Sequence, residues 1–171
     1  MKKNFIILFF IAFIPIKAFA LVEVDITRGN LNPLPLAVSP LSIDDKSKKS
    51  FEKILKKENI GSEISTIVEN NLRTSGLFNP LDKNAFLQAP DIANLKPRFE
   101  DWNLIKAQAL ITGKVTYVDE KLRVEFRLWD ILAAKEMMAL AFTTVPSNWR
   151  RVGHIISDKV YERLTGEKGY F

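Results

Sequence analysis

The side chains that could carry out chemistry are few in this sequence of 171 residues. It contains one histidine, His154, and no cysteine. Without cysteine the chain has no disulfide, no thiol nucleophile and no thiolate ligand for a metal. His154 precedes Asp158 by four residues on a segment with helical periodicity, so we expect the two to form a surface pair. No nucleophile or orienting partner accompanies the histidine in a catalytic motif.

Carboxylates are the remaining candidates for acid–base chemistry or metal binding. Three adjacent pairs occur, at 44–45, 100–101 and 119–120. Neighbouring residues point to opposite faces of a strand and lie about 100° apart on a helix, so neither arrangement aims two carboxylates at one point. The seven glycines match neither a phosphate-binding loop nor a dinucleotide fingerprint. The sequence therefore predicts a binding or structural module with no catalytic residue, no cofactor and no metal.

The first twenty residues have the composition of a targeting segment. They contain three lysines, no acid and fifteen apolar side chains, with an apolar run at 5–16 followed by Ala18-Phe19-Ala20. A basic start, a short apolar centre and small residues before the cleavage point are typical of a secretory signal peptide. The run is shorter than the roughly 20 residues that a membrane span needs. We expect cleavage between Ala20 and Leu21, export, and no membrane span in the mature chain.

The net charge of the chain is smaller when this segment is left out. The whole sequence has 25 basic and 20 acidic residues, and removal of the three leading lysines leaves 22 against 20. A nucleic-acid-binding protein would carry a concentrated basic surplus, so nucleic acid is not an expected partner. About 150 residues suffice to bury a core, and we expect 21–171 to form one domain.

Hydrophobic periodicity predicts the elements that would position any site. Alternation of apolar and polar residues predicts five strands, at 22–27, 34–38, 110–118, 122–128 and 137–144. The last three are separated by short turns and predict an antiparallel meander. Pro35 favours an edge position at the start of the second strand.

Two segments carry helical stripes, 62–75 and 149–164, each followed by a glycine. The sequence thus predicts the α/β class with α+β character: a five-stranded mixed sheet with two main helices packed on one face. Residues 44–60 carry six lysines and four acids and predict one or two turns of surface helix. Residues 82–98, with Pro90 and Pro97, are expected to be mostly loop.

Three segments resemble the TolB amino-terminal domain family. Residues 148–169, which begin Asn-Trp-Arg-Arg-Val-Gly-His, resemble its closing helix. Residues 72–78, Leu-Arg-Thr-Ser-Gly-Leu-Phe, resemble the exit of its first helix, and 122–130 resemble its central strands. The resemblance covers nearly all of 21–171 and departs at 44–60, where a shorter loop is expected in the family.

The resemblance implies a location and a role. Members of this family pair an α/β domain with a C-terminal β-propeller in the periplasm of Gram-negative bacteria. They belong to the Tol-Pal system, which maintains the outer membrane and draws it inward during division. The sequence ends at Phe171, where the family would continue into the propeller, so the Pal site of the propeller is not transferred to this chain.

The resemblance also implies that the mature N-terminal segment binds TolA. By position these residues are Leu21, Val22, Glu23, Val24, Asp25, Ile26 and Thr27. Their alternation is compatible with two interpretations that the sequence leaves open. The segment can be an edge strand of the domain's own sheet, or it can add to the edge of a partner's sheet.

A second hypothesis about function does not depend on the family. The Lys-rich segment 44–60 could hold anionic lipid or polysaccharide in an unrelated periplasmic module. Interspersed acids weaken its positive field, and a solvated helix face is the more common explanation of such a run.

Overall fold

The computed structural model describes residues 32–171. The predicted signal peptide, its cleavage point and the predicted strand at 22–27 lie outside the described residues. The order of elements and their packing therefore concern the chain from Asn32 onward.

Within residues 32–171 the sheet has six strands, whereas the sequence predicts five strands in all. They are β1 (Leu34–Val38), β2 (Ser42–Ile43), β3 (Phe78–Pro80), β4 (Ala109–Val118), β5 (Lys121–Asp130) and β6 (Lys135–Thr144). The main order is β3-β1-β4-β5-β6, with β2 paired to β4 beyond the end of β1. β1 runs parallel to β3 and β4, whereas β4, β5 and β6 are antiparallel. The mixed α/β class is confirmed.

The predicted meander is present with long registers. β4 pairs with β5 from Ala109↔Asp130 to Val118↔Lys121. The two turn residues, Asp119 and Glu120, have φ values of 50° and 59°. Two central residues with positive φ match the twist of the flanking strands, as in a type I′ hairpin. This turn fixes the register of the sheet's long strands.

In the described part of the chain, five α-helices accompany the sheet. They are α1 (Asp45–Leu55), α2 (Ile60–Thr74), α3 (Pro90–Leu95), α4 (Phe99–Leu104) and α5 (Trp149–Thr165). α2 and α5 correspond to the two predicted stripes, and Gly76 and Gly166 follow them with φ of 74° and 77°, where a side chain would be strained. α1 has 11 residues and exceeds the predicted turn or two.

The main core lies where α2 and α5 pack on one face of the sheet, as predicted. The close approach of the helices depends on Gly153, since a Cβ there would lie 2.9 Å from Ile67 Cγ2. Side chains with at most 2% of their area exposed fill the space: Leu36, Ile64, Val68, Leu72, Ile111, Leu122, Phe126, Leu128 and Ile156. Burial of each such side chain contributes about 1.5–3 kcal/mol.

A smaller second core covers part of the other face, which the sequence does not predict. Trp102 of α4 is 1% exposed and packs with Ala37, Ala93 and Leu110. Gln88 closes this layer, because its side-chain carbonyl accepts from the Trp102 ring N–H at 3.0 Å. The region 82–98, expected to be mostly loop, therefore contains α3 and a short 3₁₀ helix.

The strand that contains Pro35 is an interior strand, and only its start, for which the edge position is predicted, extends beyond the register with β4. β1 lies between β3 and β4. The Pro35 carbonyl accepts from the Gln108 N–H at 2.9 Å, just before β4 begins. Since the N–H and C=O of one strand residue point to the same side, the donor that proline lacks would point past the start of β4. An interior strand tolerates the proline for that reason.

Candidate functional site

The segment predicted to bind a partner, Leu21–Thr27, lies outside the described residues, but the structure shows where it joins the domain. Asn32 and Pro33 lead directly into β1. The Leu34 N–H donates to the Leu77 carbonyl at 2.9 Å, and Leu34 pairs with Phe78. The predicted partner-binding segment therefore precedes an interior strand of the sheet, and the chain enters that strand at the first residue of β1, which pairs with β3.

An aromatic cluster lies beside this attachment point. The ring of Tyr161 contacts Phe78 and Phe171 edge-on, with centroids 6.1 and 5.8 Å away. The Phe171 N–H donates to Asp158 Oδ1 at 2.9 Å, so the last residues fold back on α5. Burial raises the pKa of Tyr161, and the charges that Tyr170 and Glu167 carry when ionised raise it further.

The Lys-rich segment forms α1, which is fixed by its first turn. Asp44 Oδ1 accepts from the Ser47 N–H at 2.9 Å, and this hydrogen bond holds the pKa of Asp44 below its usual range. Ser47 Oγ also accepts from the Tyr117 N–H at 2.8 Å, which ties the helix to β4. Glu52 and Glu58 share one shallow depression with the lysines at 49, 53 and 56. Both signs of charge therefore meet on this surface.

Trp149, the first residue of α5, contacts the connection between α1 and α2. Lys57 Nζ lies 5.2 Å and the Arg150 guanidinium carbon 4.5 Å from the centroid of its ring. Lys57 is also paired with Glu63 at 2.7 Å. Cation–π contacts of this kind contribute about 0.5–1 kcal/mol at exposed positions. The Asn148-Trp149-Arg150-Arg151 motif thus has a packing role at the junction of two helices.

The expected pair between His154 and Asp158 is absent. His154 Nδ1 lies 2.9 Å from the side-chain nitrogen of Asn71 on α2, which also donates to Ser157 Oγ at 3.0 Å. Asp158 instead accepts the backbone of Phe171. The histidine therefore belongs to a polar contact between α2 and α5.

Within residues 32–171, His, Asp and Glu side chains form no group of three or more that could hold a metal ion. Over the same range, no helix combines the length and apolarity that crossing a membrane requires. The three carboxylate pairs considered above remain apart on α1, α4 and the β4–β5 turn. The three pairs therefore lie on separate elements of the described chain.

These features define a mixed α/β domain with its two long helices on one face of the sheet. The family model of the TolB amino-terminal domain matches residues 22–137, more than half of the sequence. The chain belongs to the TolB amino-terminal domain family.

Two comparisons agree with this assignment. The Tol-Pal system protein TolB of Pelagibacter ubique (strain HTCC1062) is 88% identical over 158 residues, which make up 92% of this chain and 35% of that protein. The crystal structure of TolB from Acinetobacter baumannii superposes with a TM-score of 0.64 at 22% identity, over 81% of this chain and 30% of that chain. At 22% identity, this likeness shows that the two chains share a fold and no more. The chain spans about a third of the length of these relatives.

Proposed function

We propose that this chain acts as the amino-terminal, partner-binding domain of a TolB protein in the Tol-Pal system of the periplasm. Its residues Leu21–Thr27 bind TolA by strand pairing. The observation that carries the proposal is the 88% identity to a Tol-Pal system protein TolB over 92% of the chain.

The residues of the segment support this mode of binding. Val22, Val24 and Ile26 alternate with Glu23 and Asp25. In strand addition, main-chain hydrogen bonds give affinity and alternate side chains occupy pockets of the partner. The attachment to β1 beside β3 supplies a rigid base for such a segment.

The leader supports the periplasmic location. Residues 1–20 have the layout of a secretory signal peptide, and cleavage after Ala20 would make Leu21 the first residue of the partner-binding segment. N-terminal sequencing of the exported chain tests this step. A mature chain that begins at Met1 would contradict it.

The proposed site is tested with residues 21–171 and immobilised cognate TolA. Val24→Pro removes a backbone donor from the middle of the segment, and we expect TolA affinity to fall at least tenfold. Thr27→Ser keeps the backbone and is the matched control, with affinity within about twofold of wild type. Equal binding by wild type and Val24→Pro would exclude strand addition through this segment.

The cellular role is tested in the complete gene. We propose that TolA binding by this domain supports outer-membrane integrity and its invagination during division. Cells that carry Val24→Pro should release periplasmic enzymes into the medium and divide with delayed outer-membrane constriction. Cells that carry Thr27→Ser should behave as wild type, and leakage from both strains alike would disconnect the phenotype from the segment.

A further inference from the structure

The free edge of the sheet at β6 is a second binding surface that the proposed TolA site does not involve. β6 is the last strand of the order β3-β1-β4-β5-β6, so one of its sides has no strand partner among the described residues. Natural edges are blunted with charges, prolines or bulges. β6 has a bulge at Met137, but from Met138 to Thr144 its sequence is Met-Ala-Leu-Ala-Phe-Thr-Thr, without charge or proline.

The direction of the β6 backbone groups follows from the ladder between β4 and β5. The Ile131 N–H donates to the Gln108 carbonyl at 3.0 Å, which makes Leu110 and Trp129 a hydrogen-bonded pair. Since the direction alternates along a strand, the even-numbered residues of β5 from Leu128 back to Leu122 bond to β6.

The partners of those even-numbered residues are Met138, Leu140, Phe142 and Thr144, whose backbone groups are thereby used. The intervening residues, Ala139, Ala141 and Thr143, direct their N–H and C=O groups to the free side. Three donors and three acceptors in alternation form the template that an added strand requires.

Helix α5 turns this edge into a groove. A cavity of about 370 Å³ lies between β6 and the first turns of α5, with Phe142, Arg151, Val152 and Ile155 in its lining. Phe142 stacks on Phe126 with centroids 6.1 Å apart and an angle of 14° between the rings. The floor of the groove is therefore apolar and firmly packed.

The ends of the groove are basic. Arg151 lines it near Thr144. Arg163 lies beyond the cavity, at the other end of the space between β6 and α5, where its Nε donates to the Met137 carbonyl at 3.3 Å. Twelve helical residues separate the two arginines, which is about 18 Å. That distance equals the length of five or six residues of an extended strand at about 3.3 Å each.

We propose that the β6–α5 groove binds an extended segment of a partner protein by strand addition. On the face turned to α5, this segment carries two apolar side chains flanked by two acidic ones, in the order acidic, apolar, apolar, acidic at alternate positions. The apolar pair fits the floor at Phe142 and Ile155, and the acids face Arg151 and Arg163. The spacing of the two arginines and the uncharged edge between them specify this occupant.

The probe is a fluorescein-labelled heptapeptide, Glu-Thr-Val-Thr-Val-Thr-Glu, titrated against residues 21–171. Two control peptides test the charge and the facing of the acids separately. One has lysine in place of both glutamates, and the other, Thr-Glu-Val-Thr-Val-Glu-Thr, exchanges each glutamate with the neighbouring threonine, which puts the glutamates on the face opposite the valines. We expect the control peptides to bind at least tenfold more weakly. Amide exchange of Ala139, Ala141 and Thr143 should slow with the first peptide only.

Variants locate the site. Ala141→Pro removes a donor that the fold does not use, so the chain should fold and lose peptide binding, while the matched control Ala141→Ser keeps it. If Ala141→Pro does not fold, Arg151→Glu serves instead and should abolish the preference for the glutamate peptide over the lysine peptide, because Arg163 then faces one end of the peptide and a glutamate the other. TolA binding should be unchanged in each folded variant, which separates this proposal from the function proposed above.

Three outcomes would overturn the proposal. Equal affinity for the three peptides would show that neither the acids nor the face on which they lie matters for binding. Unchanged binding in folded Ala141→Pro would place the peptide elsewhere. Binding gained only when residues 21–28 are deleted would mean that the chain's own terminus, not a partner, occupies the edge.

Discussion

Tyr161 of α5 packs edge-on against Phe78 of β3, with ring centroids 6.1 Å apart and planes at 73°. The contact joins the closing helix to a three-residue strand that pairs with the start of β1. Tyr161 also contacts Phe171, the last residue described. The start of β1, which follows the proposed TolA-binding segment, and Phe171 therefore lie beside the same aromatic cluster. Offset and edge-on aromatic pairs contribute about 0.5–1.5 kcal/mol beyond their buried area.

The phenol of Tyr161 predicts a loss of stability in alkali. Its pKa is raised from the ordinary 10.0, first by burial and then by the charges of Tyr170 and Glu167 when ionised. The unfolded chain therefore releases this proton first, so the contribution is complete below about pH 10 and is lost as the pH rises through the folded pKa. Tyr161→Phe should flatten the fall in urea-unfolding free energy between pH 9 and 11. An unchanged slope would contradict this assignment, and Tyr170→Phe measures the smaller indirect effect of its neighbour.

We expect Glu69, on α2, to make a contribution to stability that is lost in acid rather than in alkali. Burial alone would raise the pKa of Glu69, but hydrogen bonds from Lys83 and Arg73, 2.8 and 2.6 Å away, lower it below 4.5. Its contribution is therefore present above about pH 4.5 and is lost as the pH falls through the folded pKa. Both partners are partly exposed, so Glu69→Gln should cost less than about 1 kcal/mol at pH 7.

The difference between wild type and Glu69→Gln should shrink as the pH is lowered from 4.5 towards 3, as measured by urea unfolding. The exposed Glu100→Gln is the control and should match wild type throughout that range of pH. A Glu69→Gln penalty that persists in acid would mean that the side chain acts through packing rather than charge.

Two helical glycines should respond differently to a methyl group. A Cβ on Gly61 would lie 2.1 Å from the Leu41 carbonyl oxygen, whereas on Gly153 it would meet the side chain of Ile67 at 2.9 Å. The contact at Gly61 is the shorter one and its atom belongs to the backbone, whereas at Gly153 the contacts are Ile67 Cγ2 and Cβ, at 2.9 and 3.0 Å. Alanine recovers about 1 kcal/mol of helix propensity at either site. Gly61→Ala should cost about 1–3 kcal/mol and Gly153→Ala clearly less, by thermal or urea unfolding. The reverse order would show that α2 slides past Leu41 more easily than α5 moves from α2.

The parts of the fold that the sequence predicts are those with a repeated local pattern. Alternation from Leu122 to Leu128 identifies a strand and its buried face, and helical stripes identify α2 and α5. β2 and β3 have two and three residues, too few to show a period. Pro90 suggested a loop, yet proline is also favoured in the first turn of a helix, where α3 places it.

The binding features were harder to predict because they depend on residues far apart in sequence. Spacing alone pairs His154 with Asp158, whereas its partner Asn71 lies 83 positions away. The free edge of β6 depends on strand order, which local alternation does not encode. One signal was available, since Met138–Thr144 is a strand segment of seven residues with no charge. Such a composition is found in buried strands, and it would also suit an edge strand that pairs with a partner.

The lysines of α1 should not by themselves hold the chain on an anionic surface. Glu52 and Glu58 lie in the same depression as Lys49, Lys53 and Lys56. At 0.15 M salt the screening length is about 8 Å, so a field weakened by neighbouring acids falls off quickly. In vesicle sedimentation with anionic lipid, we expect Lys49→Gln/Lys53→Gln/Lys56→Gln to differ from wild type by less than about twofold at that salt. The hypothesis of an anionic-surface module would return if wild type stayed bound at 0.15 M salt and the triple variant did not.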